Sequence, residues 1–164
     1  MLLRRLALPA GAAVLAALAA LLLLAARDSA AQQLTIGNLR ALDFGRFVAG
    51  SGGAITISPT GLRSRTGGVV LLNSPSTGQA MFSIGRSGNE EGKAVVISLP
   101  PNGSTLLSSG SASMAVNAFM VEPASLVSIP AGGATLSVGA TLVVAPDQAP
   151  GNYTGTFSLI VNYQ

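Results

Sequence analysis

The chain has 164 residues, with nine Lys plus Arg against six Asp plus Glu, and no His, Cys or Trp. Lacking thiol and imidazole, it has neither the usual nucleophile and base nor the usual nitrogen and sulfur metal ligands, so no enzyme, metal or cofactor chemistry is expected. Residues 32–164 carry six basic and five acidic side chains, a balance near zero that argues against nucleic acid as a partner.

In chain order, Arg4 and Arg5 precede an uncharged stretch from Leu6 to Ala26, which gives way to Arg27-Asp28-Ser29-Ala30-Ala31. A basic start, an apolar middle and small residues at Ser29 and Ala31 predict a secretion signal over 1–31, cleaved before Gln32. The competing reading is a retained anchor, because 21 uncharged residues are long enough to span a bilayer. With the signal cleaved, membrane contact is limited to export, and 32–164 is a single domain. Ile, Leu, Val and Phe make up 37 of its 133 residues, enough for one hydrophobic core. No disulfide is available, so packing and backbone pairing must hold it.

The exported part reads as all-β. Residues 32–42 put Leu34, Ile36 and Leu42 on one face, with Asn38 and Arg40 interrupting it. That segment is either the first strand of its own sheet or a donor that pairs with a neighbouring subunit. Period-two alternation follows in Ile55 and Ile57, in Ala80, Phe82 and Ile84, and in Val95, Ile97 and Leu99. It is longest from Leu136 through Val138, Ala140 and Leu142 to Val144. Turn-forming residues at 59–61, 67–68, 73–78, 87–92, 100–103, 130–133 and 146–151 separate these runs, with 87–92 read as a hairpin connection. Between Met114 and Val121 the apolar parity shifts near Asn117-Ala118, which predicts a bulge or a change of face. Eight to ten short strands in one exported domain predict a β-sandwich, with a closed barrel as the competing architecture.

The chain closes on its most informative stretch. After a turn at Pro150-Gly151-Asn152, the residues Tyr153, Gly155, Phe157, Leu159, Val161 and Tyr163 share one face from Gly151 to Gln164. This predicts one amphipathic strand at a sheet edge, a ready template for another chain. Gly155 leaves one side of it bare, so a bulky partner group can approach closely.

These residues carry a resemblance. Leu42-Asp43-Phe44-Gly45, the run Lys93 to Pro100, Gly139-Ala140-Thr141-Leu142 and the closing Gly151-Asn152-Tyr153-Thr154-Gly155-Thr156-Phe157 through Val161-Asn162-Tyr163 resemble the family known as domain of unknown function 4402. That family is exported, bacterial and similar to fimbrial subunits. The chain is also similar to chaperone–usher pilins, whose last strand has a glycine fourteen residues from the end and a penultimate tyrosine, here Gly151 and Tyr163. The resemblance implies an incomplete immunoglobulin-like sandwich. Its last strand would be held first by a periplasmic chaperone and would then border a groove for a neighbour's strand.

Other chemistry is poorly represented. The acids after the signal are Asp43, Glu90, Glu91, Glu122 and Asp147, too scattered for a carboxylate pair across a cleft. Lys93 is the one lysine, with no Ser-x-x-Lys pattern before it. Asp147 with Asn152 is only a loose calcium pair, and Arg63, Arg65 and Arg86 read as solvated turn residues rather than a glycan contact. The sequence therefore predicts a structural subunit of a surface fimbria or filament, exported through the periplasm to the cell surface. Its partners would be a chaperone and neighbouring subunits. Gly151, Tyr153, Gly155, Phe157, Leu159, Val161 and Tyr163 would form the acceptor edge, and Leu34, Ile36 and Leu42 the donor contacts. The alternative is a monomeric secreted or periplasmic binding module, with a glycan as its ligand.

Overall fold

In a computed structural model, residues 34–86 and 93–164 are described. The segment expected to be a secretion signal and the expected hairpin connection at 87–92 fall outside them. Eleven strands are described: β1 (Leu34–Arg40), β2 (Phe47–Val48), β3 (Gly53–Ile57), β4 (Arg63–Gly67), β5 (Val70–Leu71), β6 (Ala80–Arg86), β7 (Val95–Ser98), β8 (Thr105–Ser109), β9 (Ala112–Glu122), β10 (Ala134–Val144) and β11 (Ile160–Tyr163). No described residue is helical.

The main sheet is organised by β10, whose alternation buries Leu136, Val138, Ala140, Leu142 and Val144. Its first half pairs antiparallel with β6 and its second half with β3, while β9 takes the opposite edge. Gly139 stands where one partner gives way to the other. A Cβ there would strike the Ile57 carbonyl as the chain leaves β3 toward Pro59. The sheet continues outward through β6 to β1, through β3 to β4, and through β9 to β8, giving seven strands. Two small sheets, β2 with β5 and β7 with β11, complete a sandwich-like arrangement.

The predicted parity break in β9 is a bulge. Ala118 adopts φ 47°, and the register against β10 shifts between Gly139 and Thr141. Two asparagines hold it: Ala118 N–H donates to Asn102 Oδ1 at 2.7 Å, and Gly103 N–H donates to Asn117 Oδ1 at 2.8 Å. The bulge is thereby tied to the turn before β8.

The core forms two clusters. One gathers Phe44, Ile55, Ile57, Val69, Met114, Val116, Ala140, Leu142 and Val144; the other gathers Ala80, Phe82, Ile84, Val95, Ile129, Leu136, Val138 and Val161. Leu42 and Phe119 pack against both.

Three expectations need correcting. Residues 63–65 belong to the edge strand β4 and Arg86 is the last residue of β6, so none of them is a turn residue; in β4 the alternation is hidden because neither face is apolar. The strand count is higher than read, since two-residue strands such as β2 and β5 carry no period to detect. The closing segment from Gly151 to Gln164 is also not one strand. Thr154 makes an isolated bridge to Ser108 of β8, residues 155–159 belong to no strand, and β11 then pairs with β7. β7 and β8 are separated by the turn at 100–104, so no single neighbour runs along the whole segment.

Candidate functional site: a groove between the two ends of the domain

One wall of the site is built by residues 41–48, and the motif Leu42-Asp43-Phe44-Gly45 explains its shape. Leu42 joins the two core clusters. Asp43 and Gly78 exchange backbone hydrogen bonds, each 2.9 Å. The Asp43 carboxylate accepts the Gly45 N–H at 2.7 Å, forming a local turn that swings Phe44 inward. Gly45 has φ 73°, and a Cβ would collide with Thr77 Oγ1, so glycine is required twice over.

Two arginines clamp this wall to the segment 72–77. Arg40 donates to the Ser76 and Thr77 carbonyls at 3.0 and 2.9 Å. Arg63 donates to the Leu72 and Arg46 carbonyls at 3.0 and 2.8 Å. Desolvation pushes the Arg63 pKa down and the nearby Asp43 carboxylate pushes it back up. A guanidinium stays charged through such a shift. Arg65 reaches the Gly67 carbonyl at 3.2 Å. Arg63 and Arg65 thus hold backbone.

The facing wall is the chain after β10, residues 147–157. Tyr153 packs its ring on the first cluster and donates its hydroxyl to the Ala149 carbonyl at 2.7 Å. The same hydroxyl accepts from Gln148 Nε2 at 2.8 Å, which closes the turn 147–151. Beyond the Thr154 bridge, Gly155 passes so close to the Leu106 carbonyl that a Cβ would not fit. Phe157 then inserts between Phe82 and Phe119, with ring centroids 6.0 and 5.1 Å away. Such aromatic pairs contribute about 0.5–1.5 kcal/mol each beyond area burial. They hold the segment where no ladder does.

Between the walls lies a groove of about 1440 Å³. Its floor includes Phe82, Leu107, Met114, Val116 and Leu142, drawn from both core clusters. Charged residues at its lining are confined to Asp43, Arg46 and Asp147. The floor is mainly apolar, with the buried Thr105 among it, and the flanking backbone at 155–157 pairs with no strand among the described residues. An exposed peptide backbone beside an apolar trough suits an extended polypeptide, which supplies hydrogen bonds along its edge and side chains on alternate positions.

The sequence-predicted residues divide. Gly151, Tyr153, Gly155, Phe157 and Leu42 line the groove. Leu159, Val161 and Tyr163 share their face but pack into the second cluster beyond the groove's end. The Tyr163 ring lies 5.9 Å from Lys93 Nζ, and among the described residues its buried hydroxyl has no hydrogen-bond partner. Leu34 is partly buried against the second cluster, while Ile36 is 44% exposed. Both belong to β1, which is paired with β6 of its own chain from Leu34↔Arg86 to Arg40↔Met81. Sequence reasoning missed the floor residues as a site. Their alternation marks them as core, and nothing in a period of two says which core residues lie under an open slot.

Over residues 34–163 the chain matches the family model described as Domain of unknown function (DUF4402), and it belongs to that family. No curated protein and no solved structure matches it.

Proposed function

Starting from that membership, we propose that the chain is a non-catalytic structural subunit of a bacterial surface filament, built by strand addition in the groove. A partner's strand would lie between residues 41–48 and 149–157, pairing with the backbone at 155–157 and setting its alternate side chains on the floor. The observation that carries this reading is a mainly apolar trough bordered by backbone that pairs with no strand among the described residues. Burying three or four aliphatic side chains there, at about 1.5–3 kcal/mol each, would make a long-lived joint without a covalent bond. The basic-then-apolar start of the sequence supports export, and the pilin resemblance supports a periplasmic chaperone holding the same edge in transit. An immunoglobulin-like class for the sandwich belongs to this proposal too.

Phe157→Asp tests it. The carboxylate would be forced against Phe82 and Phe119, so Phe157 could no longer hold the wall. With the fold retained by circular dichroism, assembly in the exporting cell should fall at least about tenfold. Unchanged polymer would contradict the proposal.

A second reading, a monomeric binding module, is favoured by one observation: β1 is already seated on its own sheet. As a glycan site it is poorly equipped, because the Tyr153 hydroxyl is committed to Ala149 and Gln148 and the Tyr163 ring packs in the second cluster. A chain that stays single and needs no chaperone would decide for it.

A further inference from the structure

We propose that the strand received by the groove comes from a different polypeptide, one with large apolar side chains at alternate positions, and not from β1 of a second copy. This rests on the strand-accepting reading of the groove.

Two observations separate the donors. First, β1 and the acceptor wall are mechanically one piece. Arg40, the last residue of β1, holds the Ser76 and Thr77 carbonyls, and the next residues, 41–48, are the wall itself. Asp43 is paired with Gly78 immediately beyond that clamp. A copy that withdrew β1 to reach a neighbour would lose six registered pairings with β6 and pull on the fastening of its own groove. A chain of like subunits requires each copy to give and to accept at once. Here giving undermines accepting.

Second, β1 is the wrong shape for the floor. An inserted strand lying beside the wall residues Leu42 to Val48 would turn every second side chain toward the floor. The floor offered to them is mainly apolar, with Thr105 beside Leu107 as its buried polar residue. β1 presents Leu34 and Ile36 on one face and then Asn38 and Arg40, so half of its positions would place an amide or a cation over Met114, Val116 and Leu142 without a partner. Its other face offers Thr35, Gly37 and Leu39, with a single large apolar group. An unrelated strand with aliphatic or aromatic residues at every second position meets the floor fully and leaves β1 in place.

Because the chain has no cysteine, β1 can be locked to β6 by one engineered disulfide. Gly37 and Ser83 are register partners, and a Cβ on Gly37 would lie 2.7 Å from Ser83 Oγ. Thr35 and Gly85 give a second, independent lock, with a Cβ on Gly85 2.5 Å from Thr35 Oγ1. The full chain carrying Gly37→Cys with Ser83→Cys, or Thr35→Cys with Gly85→Cys, is titrated oxidised and reduced with two labelled peptides, and binding is read by fluorescence anisotropy. One is a synthetic nine-residue peptide alternating Ile and Thr; the other has the sequence of residues 32–42. The Ile/Thr peptide should bind the oxidised and reduced forms within about twofold of one another, and about tenfold or more tighter than the 32–42 peptide. Binding that disappears on oxidation, or a 32–42 peptide that binds as well as the Ile/Thr peptide, would overturn the proposal while leaving the groove a strand acceptor. Failure of both peptides to bind either form would overturn the acceptor reading and the proposal with it.

Discussion

At the residue scale, the wall of the groove depends on a few side chains that have no freedom to vary. Gly45 combines a left-handed backbone with a Cβ direction already filled by Thr77, and its N–H is the one the Asp43 carboxylate accepts. Gly45→Ala should therefore destabilise the domain by about 1–3 kcal/mol, through left-handed strain together with the collision. The midpoint of urea unfolding measures it, and an unchanged midpoint would mean that the wall relaxes freely. Asn117 illustrates the same economy at the bulge. Its carbonyl oxygen satisfies Gly103 N–H, so Asn117→Ala should cost about 1 kcal/mol in the same measurement. The sequence announced Gly45 only as part of a motif, since the reason for the glycine lies in Thr77, 32 positions away.

Element by element, what could be read in the sequence tracks how one-sided each strand's surroundings are. β10 and β6 bury one face against the core, and their alternation places them to within two residues. The β9 bulge was legible for the same reason, because a parity shift inside an apolar run has few other meanings. β4 and β2 were not legible: the first is polar on both faces, and the second is two residues long. The closing segment shows the limit of the method. Its face was right, with Tyr153, Phe157, Leu159, Val161 and Tyr163 turned inward and Thr154, Thr156, Ser158, Ile160 and Asn162 exposed. Its pairing was not, because periodicity reports which side is dry and says nothing about what the backbone edge meets. The stretch that pairs with no strand falls between the β8 bridge and the β7 ladder, a consequence of where those two strands end.

For the molecule as a whole, the groove follows from topology more than from composition. The first wall and the last lie at opposite ends of the domain's sequence, and the floor between them belongs to the two clusters that form the core. The trough leaves little core area open, because Phe82, Met114, Val116 and Leu142 are buried in the chain alone, and a strand laid over it would cover what remains. Among the described residues the polar β4 edge, bearing Arg63 and Arg65, is protected against pairing, whereas residues 155–159 carry no charge at all. The most direct test is amide hydrogen exchange at residues 155–157 in the full chain, alone and saturated with the Ile/Thr peptide. Strand acceptance predicts fast exchange alone and slowing by about a hundredfold or more when bound, as unpaired amides acquire ladder partners. Amides already protected in the chain alone, or equally fast with peptide bound at the groove, would contradict it.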